Sequence, residues 1–283
     1  MPRSLQHRRL ARAAALCAAT ALALTAGGTV GSASAAEPTW TESGTSYVDS
    51  LTGSQGLASR ADGSLLHRGL ASIPLSLRIA GWSHVGDPDI ARGYTFDAYQ
   101  GGDSATKKMY AVTAPDGKRT TYEHALDQGE LLNNSFASVS PDGQWLVSGE
   151  WGAMGRLQVF PTPVLNPSAP APGTNLPQAG QISLDRPVRN VQGCDFTDAT
   201  HLLCSSDDTT KEVLEVALDR PLDGNPVTGH VSSLFAIPQR SICSGSFEAE
   251  GIDYDATRGA LRVEVVPPSP CLVTTAVITY TKK

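Results

Sequence analysis

An all-β fold, a β-propeller of five blades (six being the alternative) behind a cleaved signal peptide, is what this 283-residue sequence predicts. Three observations lead there. Beyond residue 35 no long helical pattern occurs. Apolar residues come instead in short runs bounded by Gly, Pro, Asn, Asp and Ser. A small-residue-led segment recurs at intervals of roughly 40–58 residues, the spacing of propeller blades. A four-stranded sheet cannot bury both faces alone, and stacking such sheets around an axis supplies the cover.

The first 35 residues read as a secretory leader. Arg3, Arg8, Arg9 and Arg12 precede an apolar run from Ala13 to Ala26, and Ala33-Ser34-Ala35 completes an A-x-A cleavage site. The run is shorter than the roughly 20 residues a bilayer span needs. A secreted, extracellular protein with no membrane insertion is therefore expected, made of one propeller domain over residues 36–283. That part has 248 residues with 18 basic and 28 acidic side chains, a net charge of −10. Such a charge disfavours nucleic acid, whose affinity comes from basic patches. A monomer is expected.

The strand candidates in order are Leu75–Ile79, Lys108–Thr113, Trp145–Ser148, Leu157–Phe160, Leu202–Ser205, Val213–Ala217, Ser233–Ile237, Ala260–Val266 and Leu272–Tyr280. Asp62-Gly63, Asp116-Gly117, Asp142-Gly143 and Asp223-Gly224 mark tight turns, where Gly accepts the positive φ. Repeats begin at Gln55-Gly56, Ser135-Phe136, Gln192-Gly193 and Glu250-Gly251, with a looser one at Arg92-Gly93. The proline-rich stretch from Pro161 to Pro177 interrupts the rhythm and reads as a long surface loop. Residues 36–45 form a tail or lend a strand to the last blade.

Ser140-Pro141-Asp142-Gly143-Gln144-Trp145-Leu146-Val147 resembles the central motif of Tol-type, WD-like propeller repeats. In that family the Ser-Pro-Asp-Gly segment turns the hairpin between a blade's first two strands. The resemblance implies the fold and carries over no catalytic residue.

Removing Cys17 with the leader leaves Cys194, Cys204, Cys243 and Cys271. An even number in an exported protein implies two disulfides. Three connectivities exist. Cys194–Cys204 is favoured because the two lie on opposite arms of one hairpin, and Cys243–Cys271 because they flank the last repeat.

Candidate sites gather in the column that precedes each repeat: Gln55, Arg92, Asn134, Gln192 and Glu250. If these residues open the innermost strands, they ring one mouth of the channel and could hold a polar ligand or a metal. Glu250-Gly251 also resembles the Glu-Gly start of lactonase-like and strictosidine-synthase-like propellers, which implies a metal-ligating role for Glu250. A hydrated rim is the plainer reading. The acids Asp87, Asp89, Asp97, Asp103, Asp207, Asp208, Glu248, Asp253 and Asp255 read as solvated loop residues; Ca2+ is the one cofactor they would suit, and otherwise none is expected. There is no G-x-S-x-G elbow, and the mature histidines have no metal spacing. Trp82, Trp145 and Trp151 invite a sugar-stacking reading against core packing. The functional expectation is a non-catalytic binding module for an extracellular protein or glycan. The alternative is a metal-dependent hydrolase, lactonase-like, working at the channel mouth.

Overall fold

In the computed structural model, residues 39–132 and 136–283 are described. The leader and its cleavage site lie outside them. The described residues form one compact unit.

The ring is visible in five first strands that neighbour one another in a closed circuit. Blade 1 is a two-stranded hairpin, β2 (Gly56–Ser59) and β3 (Leu65–Arg68). Blade 2 opens with β4 (His84–Val85) and β5 (Asp89–Ala91), which both pair with β6 (Tyr94–Gln100), followed by β7 (Lys107–Thr113) and β8 (Arg119–Ala125). Blade 3 holds β9 (Ser138–Val139), β10 (Trp145–Ser148), β11 (Ala153–Pro161) and β12 (Gly180–Arg189). Blade 4 holds β13 (Val191–Asp198), β14 (His201–Ser206), β15 (Glu212–Leu218) and β16 (Val227–Ala236). Blade 5 holds β17 (Glu248–Asp255), β18 (Ala260–Val266) and β19 (Thr274–Lys282), and β1 (Trp40–Asp49) completes it from the other end of the chain, antiparallel to β19. The ring thus closes non-covalently, with β1, the first strand among the described residues, as the outermost strand of the last blade. The protein is a five-bladed β-propeller.

Two faces follow from strand direction. On the loop face the innermost strands begin and the chain crosses between blades. On the turn face lie the first hairpin turns. All four Asp-Gly pairs fall on the turn face, with φ of 87° at Gly63, 84° at Gly117, 80° at Gly143 and 86° at Gly224. Each Asp accepts the backbone N–H two residues on, at 2.9 Å in every case. The carboxylate mimics a backbone turn and Gly takes the left-handed conformation.

Two expectations about elements need correction. Leu75–Ile79 is a short helix, α1, and not a strand. Pro74 at its start and Gly81, with φ 93°, just past its end are helix boundaries, and they override the alternation of Leu75, Leu77 and Ile79. The blade 2 repeat does not begin at Arg92-Gly93. Those residues have φ of 54° and 82° and make the turn between β5 and β6, whereas the first strand starts at His84. The proline-rich segment is the loop from β11 to β12. It runs along β8, where Thr174 O and Leu176 N–H meet the two backbone groups of Glu123, and it buries Leu176 completely.

Both disulfides are present, Cys194–Cys204 and Cys243–Cys271. Cys194 and Cys204 are direct cross-strand partners on β13 and β14. Cys243, in the connection from β16 to β17, and Cys271, in the connection from β18 to β19, join two segments on the loop face.

Candidate functional site

The axis is plugged by one side chain. The first strands of blades 1, 4 and 5 place Gly56, Gly193 and Gly251 at the same height, and blade 2 places Asp87 there. Asp87 is 1% exposed. Its Oδ1 accepts the N–H of Leu57 at 2.9 Å and its Oδ2 that of Ile252 at 3.1 Å, while its carbonyl accepts Ala137 N–H at 3.0 Å. One residue therefore ties blade 2 to blades 1, 3 and 5. A Cβ on Gly193 would fall on Asp87 Oδ2, with Cγ at 2.9 Å, and one on Gly251 would come within 2.5 Å of Gly56 Cα. The glycines that mark the repeats are thus the space that Asp87 fills. Burial raises its carboxyl well above the ordinary range.

Two residues further along, three carboxylates stitch neighbouring blades. Asp89 Oδ2 accepts Val139 N–H at 2.6 Å, Asp195 Oδ2 accepts Tyr254 N–H at 2.7 Å, and Asp253 Oδ1 accepts Ser59 N–H at 2.7 Å. All three line an axial cavity of about 620 Å³ on the turn face, to which every blade contributes, and Arg60 and Arg92 also line it. Burial raises all three and carboxylate repulsion adds to it at Asp89 and Asp195: Asp89 is pushed up to about 6, Asp195 rises well above the ordinary range, and Asp253 rises against the opposing pull of Ser59 and Arg262. The expectation of solvated loop acids is corrected here. Asp87, Asp97, Asp253 and Asp255 are buried, Asp97 against Arg68 at 2.6 Å and Asp253 against Arg262 at 3.0 Å.

The predicted column is only partly assembled. Gln55 precedes β2, Gln192 is the second residue of β13 and Glu250 the third of β17, all toward the loop face. Arg92 lies on the opposite face, in the axial cavity, because its glycine belongs to a turn. Asn134 falls outside the described residues. Gln55 donates through Nε2 to Ser54 O at 2.7 Å. Glu250 is 9% exposed, and burial together with Glu248 and Asp207 pushes its carboxyl well up. Among the described residues, one trio of His and acid groups is close enough to share an ion: His124, Asp127 and Glu130, within 4.8 Å of one another. The ammonium of Lys108 already stands 3.0 Å from Glu130 and takes the cation's place.

The loop face carries a second cavity, about 700 Å³, lined by His84, Gln100, Asp103, Leu132, Trp151 and Gln192 among others. Trp151 sits on the turn between β10 and β11 and is 51% exposed. Trp82 is buried at 6%, and Trp145 is half-buried against the core of blades 3 and 4. The cavity walls hold the His84 imidazole below its ordinary value, although one edge meets solvent. A neighbouring hollow of about 290 Å³ shares Gly101 and Gly102 with it and reaches Lys107. Of these lining residues, Gln192 belongs to the predicted column, Trp151 to the aromatic candidates and Asp103 to the loop acids, whereas nothing local marks Gln100 or Leu132.

No protein-family model matches the sequence, and no curated protein does. Among solved structures, the native arabinanase of Bacillus subtilis is similar at 12% identity, with a TM-score of 0.43 over 86% of this chain and 92% of that one. Similarity at that level carries no conclusion about activity.

Proposed function

We propose that the protein is a secreted, non-catalytic propeller that binds a glycan in the loop-face groove. The observation behind this reading is the half-exposed indole of Trp151 beside a hollow whose other side chains are mostly polar. An indole face accepts the C–H face of a sugar ring, and planar amide or carboxylate groups hydrogen-bond vicinal hydroxyls. Gln100, Gln192 and Asp103 supply such groups, and His84 adds an imidazole nitrogen. The shared hollow toward Lys107 suits a chain longer than one sugar. The leader-like residues 1–35 support secretion, and the two disulfides suit an oxidising compartment. The Ser140–Val147 segment supports kinship with Tol-type repeats: Ser140 Oγ donates to Asp142 and accepts Trp145 N–H, which closes the hairpin.

The test is a glycan array followed by calorimetry on any hit. Trp151→Ala should weaken binding about tenfold or more, roughly 1.4 kcal/mol. An array without hits, or equal affinity in the variant, would remove the proposal. A hydrolase at the axis is the rival reading, and it draws on the turn-face cavity. Asp89, pushed up to about 6, is the carboxyl there that could exchange a proton with a leaving group. Ester or lactone hydrolysis lost in Asp89→Asn would favour it.

A further inference from the structure

The loop that supplies Leu132 to the groove is fastened by a buried charge network between blades 2 and 3. His124 on β8 is 1% exposed, with its ring edge against Phe160. Its Nδ1 lies 2.9 Å from Leu176 O and its Nε2 lies 2.8 Å from Glu130 Oε2. A carbonyl and an ionised carboxylate both only accept. A neutral imidazole carries one N–H and would leave one of these contacts as two lone pairs face to face. Both contacts are satisfied together when both nitrogens carry protons.

The surrounding charges accommodate that imidazolium. Lys108 Nζ, on β7, faces three acceptors: Gly149 O at 3.2 Å, Glu130 Oε1 at 3.0 Å and Gln158 Oε1 on β11. Arg156 makes a bidentate pair with Glu150 at 2.9 and 3.0 Å. The Asp127 carboxylate is within 4.8 Å of His124 and Glu130. Tyr110, on β7, adds an uncharged phenol raised by burial. Burial pushes the Lys108 ammonium below its ordinary value while Glu130 opposes that fall, and Asp127 stands at the exposed edge of the network. Burial opposes ionisation of Glu130, yet the His124 bond and the Lys108 charge hold its carboxyl well below the ordinary range.

The network holds two loops. Glu130 Oε2 also accepts Asp127 N–H at 2.9 Å, and Glu150 Oε1 accepts Leu131 N–H at 3.0 Å, which pins residues 126–132. Leu176 belongs to the proline-rich loop on the other side of the ring. We propose that His124 is a proton-operated latch: protonated, it clamps residues 126–132 and the Leu176 segment together and sets the groove wall at Leu132; deprotonated, it releases one of the two. The regulatory meaning rests on the groove reading above, but the latch itself is tested without any glycan.

The experiment is a pH titration of the purified protein from about pH 5 to about pH 9, reading both His124 ring nitrogens by NMR and amide exchange in residues 127–132, corrected for its intrinsic pH dependence. His124 should show two N–H groups at the acid end and lose one on the way up. Corrected exchange in 127–132 should rise about tenfold or more across the same step. His124→Gln should exchange fast throughout, with no step. One unchanging protonation state, or exchange in 127–132 that ignores the step, would overturn the latch. Should His124→Gln not fold, the wild-type titration still decides. A failed glycan array with an intact titration step would remove the groove reading alone.

Discussion

Gly193→Ala adds a single methyl group to β13, yet it should be among the most damaging small changes available to this protein. The new Cβ would overlap Asp87 Oδ2 and stand 2.9 Å from Asp87 Cγ and 3.1 Å from Ile252 N. Ordinary carbon contacts need roughly 3.5–4.0 Å. The far end of a flexible side chain could swing away. Asp87 cannot, because its other oxygen is held by Leu57 N–H and Gly56 and Gly251 close the remaining sides. Relief requires breaking the Ile252 bond, opening the blade 4–blade 5 seam, or both. Overpacking costs about 1–3 kcal/mol. A buried N–H left without its acceptor costs about 1–3 kcal/mol more. The expected loss is therefore about 2–6 kcal/mol, a large part of the roughly 5–15 kcal/mol that holds a typical domain together.

Urea unfolding followed by far-UV circular dichroism measures the loss, and a melt should drop by about 2–4 °C per kcal/mol for a domain of this size. The decisive comparison is a double-mutant cycle with Asp87→Ala. That change removes the atoms the methyl group strikes, so Gly193→Ala should cost much less in the Asp87→Ala background. A coupling near zero, or a single variant within about 0.5 kcal/mol of the parent, would show that the axle is not packed as described.

Three other outcomes follow from the same geometry. Asp87, Asp89, Asp195, Glu250 and Glu264 are all raised by burial, so the folded state holds protons that the unfolded chain releases. Their contribution is complete below about pH 4 and is lost as pH rises, by about 6 for Asp89; the melting temperature should fall over that window, and Asp89→Asn should flatten the slope. Replacing Cys243 and Cys271 by Ser opens a 28-residue span and should cost about 3–4 kcal/mol by chain entropy, read by urea unfolding. Deleting residues 40–49 removes the outer strand from β19, and the truncated chain should lose cooperative melting or associate through the bared edge, as light scattering would report.

What the sequence discloses here depends on whether a residue works locally. The Asp-Gly turns are complete within four residues, so their positions are readable before any fold is known, and all four are turns. Cys194 and Cys204 are legible because one hairpin places them face to face. The repeat-opening glycines are legible as marks, but their purpose is not. It lies in Asp87, from a different blade, which stands where blades 1, 4 and 5 have Gly and reads in isolation as one more loop acid. Taking Gly86-Asp87 as the start of the second repeat, instead of Arg92-Gly93, would have exposed the substitution. The latch is harder still, since Lys108, His124, Gln158 and Leu176 come from two blades and a long loop, and no spacing relates them.

The two faces also divide the work. Turn-face connections are mostly short, governed by Asp-Gly geometry, and enclose carboxylates that stitch one blade to the next; a change there disturbs the ring itself. Loop-face connections are longer and carry most of the large exposed apolar side chains, among them Leu51, Leu75, Ile79, Trp151, Ile242 and Val273, against Val164 on the other side. They are also fastened: one pair by the Cys243–Cys271 bridge, another by the His124 network. Exposed apolar groups on tethered loops lose little entropy when a ligand covers them, which is the condition for affinity from a small contact. On the proposed binding function, contact with a ligand would fall to the loop face, while the buried acids of the axis hold neighbouring blades together.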